Sequence, residues 1–403
     1  MRKSLVLYFL LAIALIFSTT ATGAFGQQAD EEPRLQIGAD IVGGFQFLDH
    51  GNDDGSLTSL NPGFQNAAGN LNFYYQITDG IDLKWNFYMS NPTHLLEVTL
   101  TEGYAWIDRV PEAVNVLNIN ESLMEVMSLR VGQFYVNYGD QLERRSNNGA
   151  VQNNPLIGNY IMDPVRVGLG AEVYFDFDVV EAMFGFHQPG TQDFSQGQRN
   201  ALLGMLALNL FEGDARLRGS FYSADASGNP PFPQGSRADL FTTTRTPARY
   251  MDVLAGQHQV LLFGGQDVTA YQLEANLKPG PFDIWGLIGY VEDANYNGTN
   301  EGTPEENWLY WGAEAKVDVT ERFYLATRYS GASTDKFRDV DSDGNLHRVQ
   351  GGFGFEIAPG ILFKTEYVNQ WFSDFEQNEG FDGLELTQNP RFYGIVTEIS
   401  FSF

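Results

Sequence analysis

The most restrictive feature of this sequence is an alternation of apolar and polar side chains that recurs in segments of about ten residues. One face of the last segment is mostly apolar or aromatic up to its end: Tyr393, Ile395, Thr397, Ile399, Phe401 and Phe403. The opposite face carries Glu398, Ser400 and Ser402. A period of two residues predicts β-strands whose two faces meet different surroundings, one apolar and one hydrated.

The polar faces of these segments carry charges of both signs near their middles. Residues 81–89 place Asp82 and Lys84 opposite an apolar face, and residues 165–175 do the same with Arg166 and Glu172. A soluble β-sandwich would exclude such charges from its core, whereas a water-filled barrel lumen accommodates them. The pattern therefore favours a transmembrane β-barrel.

Sixteen segments have this strand character, an even number, as a closed single-chain barrel with both ends on one side requires. We predict strands at 34–47, 70–78, 81–90, 95–107, 126–137, 165–175, 179–188, 200–211, 214–223, 268–278, 281–292, 307–318, 321–331, 347–357, 360–371 and 390–403. Long loops separate them at 48–69, 138–164, 224–267, 293–306, 332–346 and 372–389, alternating mostly with tight turns. The predicted fold class is therefore all-β, a closed antiparallel transmembrane β-barrel with long extracellular loops and short periplasmic turns.

Three segments fit this scheme less well. The outer connection 91–94 is short, and the inner connection 109–125 is long. Segment 250–263 also has strand character, but a seventeenth strand would break the even count. We therefore assign that segment to the long loop 224–267.

The first 26 residues have the features of a secretory signal peptide. Arg2 and Lys3 precede an unbroken apolar run at 5–17, and small residues follow at Ala24 and Gly26. The alternative is an N-terminal membrane anchor, which the run disfavours because it is shorter than the roughly 20 residues that cross a bilayer. We predict a cleaved leader at 1–26 and a barrel domain at 27–403.

Composition excludes several classes of function. The chain has 51 acidic and 24 basic residues, and this excess of acid argues against a nucleic-acid partner. It has no cysteine, which excludes disulfides and thiolate metal sites. Neither a Gly-x-Ser-x-Gly nor a His-Glu-x-x-His motif occurs, so we do not predict an enzyme, although a barrel lipase assembles its residues across strands without such a motif.

Residues Leu129-Arg130-Val131-Gly132-Gln133-Phe134, followed by Gly139 and Glu143, resemble a motif of the phosphate-selective porin family of outer-membrane proteins. The match covers residues 126–166, and related Gram-negative general porins share it. The resemblance implies a sixteen-stranded, trimeric, passive channel in which loop 138–164 folds inward and forms the constriction. The sequence departs from the motif at 136–138, where Val-Asn-Tyr replaces the family's usual proline and aromatic residue.

Several charged residues are candidates for the pore constriction. Within the loop, Glu143, Arg144 and Arg145 are placed to face the opposite wall, and Arg130 and Arg166 lie on the strands that flank the loop. A charged eyelet would set the size limit and the charge preference of the pore. The alternative is a solvated charge cluster, or a salt bridge that ties the loop down.

The phosphate selectivity of the family does not carry over, because the predicted wall has no excess of basic residues. Acids and bases occupy inward positions in equal number, so we expect a nearly neutral wall. Candidate lumen-lining residues are Lys84, Glu172, Arg216, Arg218, Glu274, Arg322, Arg328, Lys364, Glu366 and Glu398. The surplus acids fall mainly in the outer loops, which predicts a weak or cation-leaning ion preference.

Three further features have two interpretations each. The six tryptophans, Trp85, Trp106, Trp285, Trp308, Trp311 and Trp371, are candidates for interfacial girdles or for sugar-stacking positions in the lumen. Strand 200–211 is apolar on both faces, which suggests either a subunit contact or dense packing within one barrel. Asp339, Asp341 and Asp343 resemble the start of a calcium loop, although a solvated acidic loop is the preferred interpretation. No other cofactor is expected.

Together these observations predict an outer-membrane porin of a Gram-negative bacterium, through which small hydrophilic solutes diffuse passively. The alternatives are a substrate-specific channel for sugars or anions, and a plugged surface barrel with a structural or adhesive role. Expected partners are outer-membrane lipid, two further copies in a homotrimer, and the barrel-assembly machinery, which would recognise the terminal Phe403.

Overall fold

A computed structural model describes residues 34–51, 62–64, 68–90, 99–109, 121–145, 151–164, 166–189, 200–225, 240–241, 250, 267–293, 306–337, 340–374 and 391–403. The chain divides into two units, Met1–Leu35 and Gln36–Phe403, and nearly all described residues belong to the second. The predicted leader at 1–26 lies outside the described residues.

Alternating sequence segments form sixteen long strands, each with one face toward the barrel interior. They are β1 Leu35–His50, β2 Ala68–Thr78, β3 Ile81–Ser90, β4 Thr99–Ile107, β5 Met127–Tyr135, β6 Val167–Phe177, β7 Val180–Pro189, β8 Asn200–Leu210, β9 Ala215–Asp225, β10 Asp267–Leu277, β11 Phe282–Asp293, β12 Glu306–Thr320, β13 Phe323–Ser333, β14 Asn345–Ala358, β15 Ile361–Ser373 and β16 Arg391–Ser402. Shorter strands occur at Gly63–Phe64, Lys336–Phe337 and Val340–Asp341.

The sixteen strands close into one antiparallel barrel. The sheet contains 17 strands, one of which is the short Gly63–Phe64, and successive long strands are neighbours around it. The last strand returns to the first, from Asp40 opposite Ser402 to His50 opposite Phe392. The backbone of the C-terminal Phe403 exchanges hydrogen bonds of 2.9 and 3.1 Å with Ala39 and so extends this seam. The predicted fold class and strand number are confirmed, with strand ends displaced by a few residues.

Helical structure in the described part of the chain is limited to Glu121–Met124 and two 3-10 turns, Asp140–Arg144 and Phe211–Gly213. No helix among these residues is long and apolar enough to cross a membrane.

Burial alternates along the strands as the sequence pattern predicts. On β10 the outward Leu273 is 51% exposed, while the inward Gln272 and Glu274 on either side of it are buried. On β16 the outward Ile395 is exposed, while Glu398 and Ser400 are buried inside. An apolar exterior around a polar interior is the reverse of a soluble protein and suits a barrel surrounded by lipid.

The tryptophans divide equally between the two faces. Trp85, Trp311 and Trp371 lie on the outer face, where Trp311, Gly331, His347 and Trp371 occupy one register across β12 to β15. The ring of His347 lies 6.2 Å from that of Trp311 and 5.3 Å from that of Trp371. This row is a girdle of the expected kind.

The other three tryptophans occupy the second of the two expected positions, because they face the interior. Trp106 lies opposite Asp82 and Arg130 on neighbouring strands, and Trp285 and Trp308 are fully buried. A period of two assigns a face only when the strand register is known, and the sequence alone did not provide that register for these positions.

Strand β8 is apolar on both faces because its inner face packs against an apolar cluster inside the barrel. Ala201, Leu203 and Ala207 are buried in that cluster together with Tyr138 and Phe241. Dense packing within one barrel therefore accounts for the inner face. The outward Leu202 and Leu206 are exposed, so a subunit contact there stays a prediction.

Because this face contacts lipid, an arginine introduced there should destabilise the barrel by an amount that depends on its depth in the bilayer. Replacing Leu273 with Arg, at the middle of β10, should destabilise the barrel by about 2–4 kcal/mol, whereas Thr269→Arg, near the strand end on the same face, should cost about 0–1 kcal/mol. Urea unfolding in phospholipid vesicles measures both. Equal costs for the two variants would contradict the placement of this face in a bilayer.

Candidate pore-constriction site

Loop 138–164 folds back into the barrel directly after β5. Gly139 initiates the turn with φ of +72°, and a β-carbon at this position would lie 2.0 Å from Oε1 of Gln141. Only glycine combines this backbone with such close approach. The following 3-10 turn, Asp140–Arg144, then runs along the inner wall, and the part of the loop from 151 to 164 is almost entirely buried.

The first half of the loop is held by strands β9 to β12. Asp140 donates its backbone N–H to Glu274 at 2.8 Å and forms an ion pair with Arg218. Arg144 forms ion pairs of 2.8 Å with both Asp283 and Glu314. The predicted constriction residue Arg144 is therefore fixed to the opposite wall through two carboxylates.

Glu314 is the centre of this contact. One carboxylate oxygen accepts from Arg144, and the other accepts from the hydroxyl of Tyr160 at 2.8 Å and from Nε of Arg328 at 2.8 Å. The Arg328 guanidinium also stacks on the Tyr160 ring, 3.8 Å from its centre. Burial raises the pKa of the Tyr160 hydroxyl well above its usual range, so this hydroxyl stays protonated and donates.

Glu366 on β15 plays the same role for the second half of the loop. Its Oε2 accepts the backbone N–H groups of Ile157 at 2.6 Å and Gly158 at 3.0 Å. Its Oε1 accepts the hydroxyl of Tyr250, a residue of the long loop 224–267. A β-carbon at Gly158 would lie 1.9 Å from that hydroxyl oxygen, so the two loops meet at this glycine.

Two basic residues satisfy the carbonyl groups of the loop. The Lys364 ammonium donates to the carbonyls of Val151, Asn154 and Leu156 at 3.1–3.3 Å and pairs with Glu398 at 2.9 Å. Arg348 donates to the carbonyl of Asn159 at 2.7 Å. Irregular backbone inside a barrel needs such partners, because a buried carbonyl without one is costly.

Arg145 differs from the expectation that it faces the opposite wall. It is fully buried and pairs with Asp163 of the same loop at 2.8 Å. The alternative interpretation, a salt bridge that ties the loop down, describes Arg145. Its neighbour Glu143 is exposed, and none of the described residues forms an ion pair with its carboxylate.

The flanking residue Arg130 lies in the lumen beside the base of the loop. It donates from Nε to Glu172 at 2.9 Å, and its guanidinium lies 4.0 Å from the centre of the Phe134 ring. The other oxygen of Glu172 contacts His187 at 3.0 Å. Arg166 is half-buried, and its backbone carbonyl accepts the N–H of Val136 at 2.8 Å.

The remaining predicted lumen residues are mostly paired with close neighbours. Arg216 pairs with Glu181 at 2.8 Å, and Arg218 lies 3.5 Å from Glu274. Arg322 is an exception: it lies exposed in the turn before β13, not in the lumen, because β12 runs on to Thr320 and contains a bulge. The wall charges thus neutralise one another locally.

Coverage of the inner wall is uneven. The loop contacts inward side chains from β9 to β16, where Glu314, Arg328 and Glu366 are fully buried. On β2 and β3, by contrast, the inward Tyr74 is 37% exposed and the side chain of Lys84 is 43% exposed. Accessible inward side chains therefore occur on β2 and β3, although Asn70, Asn86 and Tyr88 of the same strands are buried.

The calcium-loop candidate is only partly described. Asp339 lies outside the described residues, and Asp341 belongs to a short hairpin in which it pairs with Lys336. The backbone carbonyl of Asp343 accepts from Asn345 at 2.6 Å. Across the described ranges, no group of three or more His, Cys, Asp or Glu side chains is arranged to hold a metal ion.

Five residues of the site were not anticipated from the sequence: Asp140, Tyr160, Asp163, Tyr250 and Asp283. Most of them make their contacts with residues far away in the sequence, as Tyr250 does with Glu366, whereas Asp163 pairs with Arg145 of the same loop. The only sequence signal was indirect, because inward carboxylates such as Glu314 and Glu366 require buried donors.

Because Arg144 and Arg328 share the carboxylate of Glu314, a substitution of Glu314 should loosen the loop. Glu314→Gln removes the counter-charge of two arginines, Arg144 and Arg328, and should destabilise the loop by about 3–5 kcal/mol. Limited trypsin digestion should then cut after Arg144 or Arg145, at bonds that are protected in the wild type. Glu321→Gln, on an exposed turn, is the matched control and should leave the protection intact. Unchanged protection in Glu314→Gln would contradict the role of this carboxylate.

No family model and no curated protein matches the sequence. The structure is similar to that of the outer membrane channel DcaP of Acinetobacter baumannii, with a TM-score of 0.54 and 11% identity over 92% of this chain and 97% of that chain. The anion-selective porin from Comamonas acidovorans gives 0.56 and 10% over 92% and 99%, respectively. OmpF of Salmonella typhi, in complex with daunomycin, gives 0.55 and 10% over 92% and 97%. The chain therefore has the fold of Gram-negative outer-membrane porins.

Proposed function

We propose that this protein is an outer-membrane porin through which small hydrophilic solutes and ions diffuse passively. The observation that carries the proposal is the uneven coverage of the inner wall: Tyr74 and Lys84 are accessible in the lumen, whereas loop 138–164 buries the wall from β9 to β16. A fixed loop on one side and an accessible polar wall on the other is what a size-limited aqueous pore needs.

The proposed pore has little charge preference. Most basic residues of the wall have an acidic partner within 4 Å, as Arg130 has Glu172 and Arg216 has Glu181. Paired charges contribute little net field to a passing ion. A phosphate-selective pore, which the sequence motif raised, would need unpaired basic residues along the passage, and we favour a weakly selective or cation-leaning channel instead.

The second candidate is a plugged barrel with a structural or adhesive role. It is favoured by one observation: the long loop 224–267 also reaches the interior, where Leu240, Phe241 and Tyr250 are fully buried. Phe241 packs 5.4 Å from the ring of Tyr310 on β12. A substrate-specific channel is a third hypothesis, and the inward Trp106 and Tyr104 are its candidate stacking residues.

The remaining parts of the proposal concern export and assembly. We propose that a leader at 1–26 directs the chain to the envelope and that the barrel resides in the outer membrane, surrounded by lipid. We further propose recognition of Phe403 by the barrel-assembly machinery and assembly into a homotrimer. Transport as proposed here needs no cofactor, no catalytic residue and no nucleic-acid partner.

Planar-bilayer recording of the purified protein tests the pore. We expect stable ohmic current steps and a reversal potential in a salt gradient that is close to zero or of the cation-selective sign. Absence of conductance would reject the porin and favour the plugged barrel. A clear anion preference would contradict the charge pairing described above.

Lys84 provides a sharper test, because its ammonium is accessible on the open wall. Removing it in Lys84→Gln leaves Glu102, 3.9 Å from the ammonium, without its counter-charge. The ratio of cation to anion permeability should then increase by about two- to fivefold, since one unit charge at close range is worth about 1 kcal/mol in water. Arg391→Gln makes the same charge change on the outer face and is the control. Equal selectivity in both variants would mean that the passage does not run along β3.

A further inference from the structure

A cavity of about 290 Å³ lies beside the 3-10 turn of the constriction loop, toward the end of the barrel with the short turns. Its charged lining is made by Asp140, Glu143 and Arg144 of the loop and by Glu181, Arg216 and Lys278 of the wall. Formal charges balance, with three acids and three bases in this set. However, some of these residues already have an ion-pair partner and others do not.

Four of these six residues are already neutralised by ion pairs. Arg216 binds Glu181 at 2.8 Å and lies 3.5 Å from Asp140. Arg144 binds Asp283 and Glu314, both at 2.8 Å. These four residues line the cavity without serving as ligand partners, because a ligand would have to break an existing ion pair to bind them.

Glu143 and Lys278 are different. Both are exposed, and neither side chain has an ion pair within 4 Å or a hydrogen bond among the residues that the structure describes, although Glu143 interacts electrostatically with Arg216 and Lys278 with Asp283. The cavity therefore presents one carboxylate from the loop and one ammonium from the β10–β11 turn that have no direct partner there. Its only uncharged polar lining residue, Asn276, donates to Asp283 at 2.6 Å.

We propose that this cavity binds a small zwitterion, an amino acid or a dipeptide, with its ammonium group toward Glu143 and its carboxylate toward Lys278. The inference rests on the proposed porin function and adds a solute class to it. A zwitterion satisfies both free charges, whereas an anion leaves Glu143 without a partner and a cation leaves Lys278 without one. A neutral sugar forms neither ion pair.

The size of the cavity agrees with this class of ligand. At about 30 Å³ per water molecule, a space of about 290 Å³ holds roughly ten waters. That is enough for an amino acid or a dipeptide with some hydration. Glu143 also borders a second cavity of about 330 Å³, so its carboxylate is accessible from both sides of the loop.

The test uses three probes that differ only in their end groups. Glycylglycine is the zwitterion, N-acetylglycylglycine is the anion and glycylglycinamide is the cation. Each is titrated against the single-channel current of the purified protein at low ionic strength, where charge interactions are least screened. We expect glycylglycine to reduce the current at a lower concentration than either capped analogue.

Variants then assign the effect to the two free charges. Glu143→Gln and Lys278→Gln should each raise the half-blocking concentration of glycylglycine about 3- to 10-fold. Glu321→Gln and Arg322→Gln, on an exposed turn outside the cavity, are the matched controls and should leave it unchanged. The exchange of charges in the double variant Glu143→Lys, Lys278→Glu should restore block, because the zwitterion binds in the reversed orientation.

The outcomes separate this inference from the proposed function. Equal block by all three probes, or unchanged block in both single variants, overturns the zwitterion site while ohmic conductance upholds the porin. If the wild type does not conduct, the porin is rejected, and calorimetric titration of glycylglycine into the purified protein decides the site. Heat there that the Glu143→Gln and Lys278→Gln variants abolish would support the site, and no heat in the wild type would overturn it.

Discussion

Two buried carboxylates, Glu314 and Glu366, determine how the interior of this barrel is organised. Glu314 accepts from Arg144, Tyr160 and Arg328, and Glu366 accepts two backbone N–H groups of the loop and the Tyr250 hydroxyl. A buried carboxylate is stable only with several donors, so each one draws a specific stretch of loop to its strand. Together they hold the described parts of the loop, residues 138–145 and 151–164, against the inner wall as a second layer.

This arrangement determines how strong an electric field the nearly neutral wall produces in the lumen. An equal number of acids and bases would produce a strong transverse field if the two signs faced each other across open water. Here they are joined in pairs such as Lys364 with Glu398 and Arg130 with Glu172, so most of their field is cancelled at short range. In the proposed pore, ion and solute preference would then depend on the few charged side chains that form no ion pair among the described residues, such as Glu143 and Lys278.

The sequence was informative about strands and weak about contacts across the lumen. A period of two located all sixteen strands and placed Glu314, Arg328 and Lys364 on the inner face, because that pattern is local. It did not separate the roles of Arg144 and Arg145, which are adjacent in sequence but pair with Glu314 and Asp163, respectively. Those partners are set by loop path and strand register. Arg322 was misplaced for a different reason: it has the parity of the inward residues, but it lies in the turn before β13, which begins only at Phe323.

Two regions of the inner wall differ in their contacts, and this difference bears on whether the barrel is open. From β9 to β16 the inner wall holds the loop, and its residues are buried whether or not solutes pass. Along β2 and β3 the inner wall makes no ion pair with the loop among the described residues, and the Lys84 ammonium there lies 3.9 Å from Glu102 and 5.7 Å from the centre of the Tyr104 ring. The contacts that hold the loop to β9–β16 would be the same in a porin and in a plugged barrel.

The difference between a porin and a plugged barrel must therefore be found along β2 and β3, where Tyr74 and Lys84 are accessible. Substitutions at Lys84 probe conduction without disturbing the anchors, and substitutions at Glu314 disturb the anchors without touching the open wall.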